Sequence, residues 1–273
     1  MLAQRLTTAA IGIPLILAVI LLGGVAYALV AATILALAAL EFVAMVGPAE
    51  SGAPPRGAWR PEVSGIAAVG GVVLIVIGAD TGVDEWTGAI VAALGLVFLV
   101  SLVGSSSRQG LDRWLPAAVA LLYIGVLGSY LVILRDTSDG KDWALLVVIA
   151  TWGTDTFAYF TGKAIGRNKM APRISPGKTW EGTAGALVGG FLTVIVLDLV
   201  LTLPMSTGEA MLLGLALPAV SVMADLGESM LKRGAGVKDT SELIPGHGGF
   251  LDRLDSILFT VPLVYYFVIW VVV

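Results

Sequence analysis

The stretch VAYALVAATILALAALEFVAMV, Val25–Val46, decides the fold. It carries one charge, Glu41, and as an α-helix it is long enough to cross about 30 Å of hydrocarbon. It is too long, and alternates too rarely, for a β-barrel strand. Similar apolar runs occur on either side: Leu6–Leu22, Val63–Ala79, Trp86–Val103, Leu115–Leu134, Trp143–Thr161, Gly182–Leu203, Glu209–Leu226 and Ser256–Val273. Together they predict an all-α fold, a polytopic transmembrane helical bundle of about nine spans.

The composition agrees. Of 273 residues, 57% are hydrophobic and only 13% charged, and the mean hydropathy is +0.93. A soluble domain carries about twice that share of charge, so a water-soluble enzyme and a disordered chain are both excluded. The absence of cysteine excludes disulfides, zinc–thiolate sites, iron–sulfur ligation and thiol nucleophiles. With His247 the sole histidine, a multi-histidine metal site is excluded too. The net charge of −4 gives no reason to expect a nucleic-acid partner. The lipid bilayer is the expected surrounding.

Lys and Arg set the expected orientation. With the N-terminus in the cytoplasm, only Arg135 and Lys141 of the 16 basic residues fall outside. The inside set includes Arg5, Arg56, Arg60, Arg108, Arg113 and the whole basic segment from Lys163 to Lys178. The C-terminus is then outside. Arg5, the first apolar run and Ala26-Tyr27-Ala28 imitate a signal peptide. Cleavage there would leave no mature segment before the second run, so the first run is read as a span. Ser51–Pro61, with Pro54 and Pro55, reads as a polar loop. Gly185 and Gly189, at i and i+4, read as a helix-packing contact. No clear internal repeat supports an inverted-repeat transporter.

Function is sought where an apolar chain tolerates charge. In residues 1–140, about five spans read as a scaffold with dimer contacts, there is little. Glu41 lies near the cytoplasmic end of its run, and an interfacial position explains it. Asp198 is placed deeper in the seventh span, where an ionisable group is a functional candidate; no role is assigned to it. Residues 141–273 read as the catalytic region, with cytoplasmic loops 162–181 and 226–255. Thr151, Asp155 and Tyr159 share one helix face, expected as a buried polar stripe toward the bundle interior. Gly177-Lys178-Thr179 resembles the end of a P-loop. Pro172 stands where the motif needs glycine, and no strand is expected before it, so Walker A is rejected. A phosphate-contacting loop at a helix start remains.

The richest cluster runs from Asp225 to Asp255. Asp225, Glu228, Ser229 and Lys232 form one polar helix face. Arg233, Lys238 and Asp239 follow. Pro245-Gly246-His247-Gly248-Gly249 reads as a flexible turn whose backbone can approach a ligand closely. Asp252-Arg253-Leu254-Asp255 is expected to open the last helix, with both carboxylates on one face. Hard carboxylate oxygens suit Mg²⁺, which keeps several waters and leans on substrate phosphates. Lys and Arg neutralise the remaining phosphate charge.

The spacing from Ser229 to Asp255 resembles the motif of the phosphatidate cytidylyltransferases, also called CDP-diacylglycerol synthases. Its pieces are Ser229-Met230-Leu231-Lys232-Arg233, then Lys238-Asp239-Thr240-Ser241, then Ile244-Pro245-Gly246-His247-Gly248-Gly249-Phe250-Leu251-Asp252-Arg253-Leu254-Asp255. Two upstream pieces agree: Asp155 to Phe160 with Gly162, and Ser175-Pro176 with Lys178 to Gly182. Ala224 departs from the glycine of many relatives. The resemblance implies the reaction CTP + phosphatidate → CDP-diacylglycerol + pyrophosphate, for phospholipid biosynthesis. It implies a multi-pass inner-membrane enzyme that depends on Mg²⁺, with K⁺ as a second cation in some members, and a homodimer. By resemblance, Asp225 and Asp252 match the family's metal-binding aspartates, and Asp255 and Asp239 are weaker candidates for metal roles.

The residues fit this chemistry. The nucleophile is a phosphate oxygen already ionised near neutral pH, so no strong base is required. Catalysis is expected from positioning and charge stabilisation. Lys232, Arg233 and Lys238 are the expected catalytic cations beside Asp225 and Asp252. Lys178, Ser229, His247, Gly248, Gly249, Arg253 and Asp155 are the expected substrate or phosphate contacts, with a structural role favoured for His247. The expected topology turns this cluster toward the cytoplasm, where CTP and a lipid phosphate meet. The alternatives are a CTP-dependent lipid kinase and a membrane transporter.

Overall fold

The computed structural model describes residues 2–47, 63–103 and 106–272. Arg56, Arg60 and the loop reading of Ser51–Pro61 lie outside the described residues. The helices are α1 (Leu2–Leu22), α2 (Gly24–Val46), α3 (Val63–Thr81), α4 (Val83–Leu102), α5 (Ser107–Ala120), α6 (Leu127–Arg135), α7 (Gly140–Ile165), α8 (Trp180–Leu201), α9 (Thr207–Gly234), α10 (Leu251–Leu254) and α11 (Ile257–Phe267). A π-helical segment, Leu121–Val126, joins α5 to α6, and α11 runs into a π turn at Val268–Val272.

Among the described residues, eight helices are long and apolar enough to cross a membrane, counting Ser107–Arg135 and Leu251–Val272 each as one. The apolar part of α1, Thr7–Leu22, is shorter. Each expected span therefore falls on a helix, and the protein is a multi-pass, all-α membrane bundle. Outside the helices, the described residues hold one small sheet, β1 (Lys169–Ala171) antiparallel to β2 (Ser175–Thr179).

Local chemistry fixes the helix ends. Gly23 and Gly24 have φ of 65° and 55°, a left-handed backbone that separates α1 from α2 at little steric cost. Ser106 opens α5 with a capping box to Gln109. Pro116 lies inside α5, one turn before the π segment begins. Proline removes a backbone donor from a helix interior, and ladder irregularities gather near such sites.

The chain forms two compact units. The first comprises Met1–Ile133 and Gly234–Leu254, and the second Leu134–Arg233 and Asp255–Val273. In the first, α3 packs against α2, α4 and the π segment, and α10 packs on α2. The core there is small and aliphatic, with Leu35, Ala38, Ala39, Ala68, Val72, Ile75, Ala93 and Leu121 buried.

In the second unit α7 lies along α8, and α11 packs on α7. The Gly185–Gly189 reading holds. A Cβ at Gly185 would collide with Thr161, and one at Gly189 with the Phe157 ring. Small residues thus let two spans approach closely where apolar burial between helices gives little drive. Thr151 Oγ1 and Thr260 Oγ1 stand 3.2 Å apart, joining α7 to α11 through buried hydroxyls.

Two expectations are corrected here. The face of α7 carrying Thr151, Asp155 and Tyr159 is not a continuous buried stripe. Burial on α7 ends at Thr154, so Thr151 is enclosed while Asp155 and Tyr159 are exposed. Asp198 is not deep in its span. It stands one turn from the α8 C-terminus at Leu201, half-buried.

Candidate active site

In the second unit, the basic segment is a β-hairpin rather than an irregular loop. Glu181, in the first turn of α8, accepts hydrogen bonds from the backbone N–H of Arg167 (3.1 Å) and Asn168 (3.2 Å) and from Asn168 Nδ2 (2.7 Å). Thr179 ends β2 and caps α8 by accepting from Gly182 N–H at 3.1 Å. Gly177-Lys178-Thr179 therefore stands on a strand that feeds a helix. Its lysine, however, turns to a carboxylate of the chain itself.

That carboxylate is Asp225 on α9. Lys178 Nζ lies 2.7 Å from Asp225 Oδ2, both side chains partly exposed. Farther along α9, Arg233 Nε donates to the Ile174 carbonyl at 3.3 Å. These contacts pin the hairpin along the C-terminal turns of α9. Between them, Lys232 Nζ pairs with Glu228 Oε2 at 2.5 Å. Glu228 is only 1% exposed, so the expected polar face is a buried ion pair at that turn rather than an open one. Ser229 is half-buried and Arg233 exposed.

In the first unit, the segment from Lys238 to Leu254 is a tightly bonded loop. Ile244 N–H donates to the Gly248 carbonyl (2.8 Å) and His247 N–H to the Ile244 carbonyl (2.9 Å). Thr8 Oγ1 on α1 donates to the Pro245 carbonyl at 3.1 Å. The turn expected to be flexible is thus stapled at both ends. Gly248 has φ of 81°, and a Cβ there would lie 2.6 Å from Asp252 Oδ2. Within the turn, His247 Nδ1 is buried and lacks a hydrogen-bond partner among the described residues.

Asp252 is 7% exposed. Its Oδ2 accepts three hydrogen bonds: from Thr240 N–H (2.9 Å), Thr240 Oγ1 (2.8 Å) and Gly249 N–H (2.8 Å). Lys238, Asp239 and Arg253 are exposed around it in sequence. The expected helix face carrying both Asp252 and Asp255 does not form. Helix α10 ends at Leu254, and Asp255 sits in the turn before α11, its Oδ1 accepting from Ser256 N–H at 2.6 Å.

Glu41 is the residue that the sequence reading undervalued. It is enclosed by the protein, only 2% exposed. Its Oε1 accepts from Ser241 Oγ (2.6 Å) and Phe250 N–H (3.0 Å). Its Oε2 accepts from Leu251 N–H (2.8 Å) and stands 3.3 Å from Thr240 Oγ1. The available signal was a lone charge inside the end of an apolar run, which in a membrane span needs partners.

The structure thus gathers Lys178, Asp225, Glu228, Lys232 and Arg233 in one unit. It gathers Lys238, Asp239, His247, Gly248, Gly249, Asp252 and Arg253 in the other. Asp155 lies on the exposed part of α7. Among the described residues no three Asp, Glu or His side chains cluster as a ready-made metal cage. An enzyme of phosphate-bearing lipids at a membrane surface fits these elements: spans, a lysine-bearing hairpin and a glycine loop around carboxylates.

The model of the Cytidylyltransferase family matches residues 3–271. The phosphatidate cytidylyltransferase of Pseudomonas aeruginosa is 33% identical over 270 residues, covering 96% of this chain and 95% of its own. That of Synechocystis is 34% identical over 294 residues, covering 97% and 96%. That of Bacillus subtilis is 40% identical over 149 residues, covering 54% of this chain and 55% of its own. The chain belongs to the cytidylyltransferase family.

Proposed function

We infer that this chain is a phosphatidate cytidylyltransferase, which transfers CMP from CTP to phosphatidate and releases pyrophosphate. The observation that carries this reading is full-length similarity to enzymes of that name from two bacteria. The lipid kinase and transporter alternatives have no such support.

The reaction forms a bond from a phosphatidate phosphate oxygen to the CTP α-phosphorus and breaks the bond to the leaving pyrophosphate. The attacking oxygen is already an anion, so the protein's task is to hold two anions together and to neutralise charge. Lys178, Arg233, Lys238 and Arg253 supply that charge. Three of them are exposed, and Lys178 Nζ is tied to a carboxylate. Lys232 is held by Glu228, which fixes its amine on the α9 surface.

The family implies Mg²⁺, and the donor chemistry fits. Asp225 is a partly exposed carboxylate already facing a cation, the Lys178 amine. Mg²⁺ needs one or two protein carboxylates when phosphates and water complete its shell, so the lack of a three-residue cage is no obstacle. Asp225 and Asp252 are each proposed as a ligand, Asp252 being a buried carboxylate held in place by three donors to Oδ2. The chemistry Mg²⁺ would supply when held there is stabilisation of negative charge on the phosphates. Asp239 is exposed and Asp255 bonds its own next residue, so both rank behind. K⁺ is kept as a second cation.

The charge bias of the loops supports an N-terminus and active site on the cytoplasmic side. We place the protein in the inner membrane, as a homodimer. The test is direct. Purified protein receives phosphatidate, Mg²⁺ and CTP labelled at the α-phosphate. Label passing into a lipid with release of pyrophosphate is expected. Label staying water-soluble, with the protein folded, overturns the reading.

A further inference from the structure

We propose that Glu41 is a positioning residue of this enzyme, which holds the glycine loop and so sets the carboxylate of Asp252. The inference rests on the cytidylyltransferase reading and assigns a role to a residue outside its sequence motif.

A carboxylate 2% exposed inside an apolar helix is tolerated only when its lone pairs are met. Glu41 meets that condition with three donors, Ser241 Oγ, Phe250 N–H and Leu251 N–H, all of them in the loop, and Thr240 Oγ1 stands 3.3 Å from its Oε2. A carboxylate serving only to glue spans together would bond another span. This one reaches about 200 residues along the chain, to both ends of the segment that begins at Thr240 and closes at Leu251.

The link to Asp252 is short. Thr240 Oγ1 stands 2.8 Å from Asp252 Oδ2 and 3.3 Å from Glu41 Oε2. A hydroxyl has one proton, and the nearer acceptor is Asp252. Thr240 is therefore held between two carboxylates, and its backbone N–H also serves Asp252. Gly249, the third donor to Asp252, is fixed by its neighbours Phe250 and Leu251 on Glu41. Moving the Glu41 carboxylate thus disturbs every donor of Asp252 Oδ2. The missing side chain of Gly249 agrees: a Cβ there would overlap Thr240 Oγ1 and Glu41 Oε2.

Glu41→Gln tests the role. The amide offers one oxygen in place of two and turns N–H toward donors. Three readouts are taken on the full chain in detergent: melting temperature, hydrogen exchange of the peptide covering 240–252, and steady-state kinetics. The expected result is a folded protein with faster exchange in 240–252 and unchanged exchange in α3 and α4. Its kcat/KM falls about 10- to 100-fold, as for residues that orient ligating groups. Thr240→Val is expected to lose activity through the same path. The double variant should then be no worse than the more damaged single one. Should Glu41→Gln fail to fold, Ser241→Ala removes one donor and is read instead. It is expected to speed the same local exchange and to cost about fivefold in kcat/KM.

Normal kcat/KM per folded molecule, whether or not the melting temperature drops, makes Glu41 a stabilising contact only and overturns the proposal. Additive losses with Thr240→Val overturn it as well. A folded wild-type protein that transfers no cytidylyl group overturns the functional reading, and this role falls with it. That outcome is seen before any variant is made.

Discussion

Lys178 Nζ sits 2.7 Å from Asp225 Oδ2 and ties the β-hairpin to α9. An expected phosphate-binding cation and an expected metal ligand are thus each other's partner. The lysine holds a positive charge against a carboxylate that would otherwise face its neighbours alone. Both side chains are partly exposed, with the Lys178 amine itself buried against the carboxylate.

Lys178→Gln is therefore expected to cost activity far more than stability. Partly exposed pairs contribute about 1 kcal/mol or less to folding. Loss of a preorganised charge at a phosphate costs about 10²-fold or more in turnover. Melting temperature and kcat/KM measured on the same preparation separate the two. A kcat/KM within about twofold of wild type would reduce Lys178 to a structural partner of Asp225.

Asp252→Asn makes a different point. Asparagine can keep its carbonyl oxygen at the Oδ2 position, where it still accepts from Thr240 and Gly249. The loop should hold and the protein should insert and fold, while the charge needed at a metal is gone. Turnover is expected to be abolished at all Mg²⁺ concentrations. Near-normal Mg²⁺-dependent activity would refute the metal role.

Glu228 and Lys232 separate stability from chemistry in the opposite sense. Glu228 is buried and its partner nearly so. Glu228→Leu alone leaves a lysine without its counter-charge and is expected to cost about 3 kcal/mol. Glu228→Leu with Lys232→Met removes both charges and should recover most of that loss. If Lys232 also binds phosphate, activity stays low in the recovered double variant. Thermal unfolding in detergent, paired with CTP titration, reads both effects. Full recovery of activity would confine Lys232 to the ion pair.

Much of this architecture was legible because a bilayer leaves few solutions. Each apolar run became a helix, since every backbone polar group in lipid must be satisfied within its own segment. Gly185 and Gly189 were readable as packing for the same reason. The site was legible as a list of residues but not as a set of partners. Asp225, Lys178 and Lys232 were all expected to face substrate, yet Lys232 pairs with Glu228 one turn away and Lys178 and Asp225 pair with each other. Spacing along a helix specifies a face, not what a distant hairpin brings to it. Glu41 was hidden more deeply. Its partners lie about 200 residues away, and only the folded loop shows that one charge in an apolar run serves three donors. The helix break at Asp255 was missed because Leu254-Asp255-Ser256 carries no glycine or proline to announce it.

Glycine positions offer the sharpest steric test. A Cβ at Gly249 would intrude on Thr240 Oγ1 and Glu41 Oε2, while one at Gly95 on α4 would meet nothing within 4 Å. Alanine raises helix propensity over glycine by about 1 kcal/mol. Gly95→Ala is thus expected to keep full activity and to melt no lower than wild type. Gly249→Ala carries the same added methyl into a closed space. Overpacking of this kind costs about 1–3 kcal/mol, and the loop can escape it only by moving Thr240 or the Gly249 N–H that bonds Asp252. A displacement near 1 Å at a reacting group costs about 10²-fold in rate. Gly249→Ala is therefore expected to lose about that much kcat/KM with a modest drop in melting temperature, against an unchanged Gly95→Ala measured beside it. Equal activity in the two variants would show that the loop tolerates the methyl without shifting Asp252, and that the contacts around Gly249 do not set the geometry of catalysis.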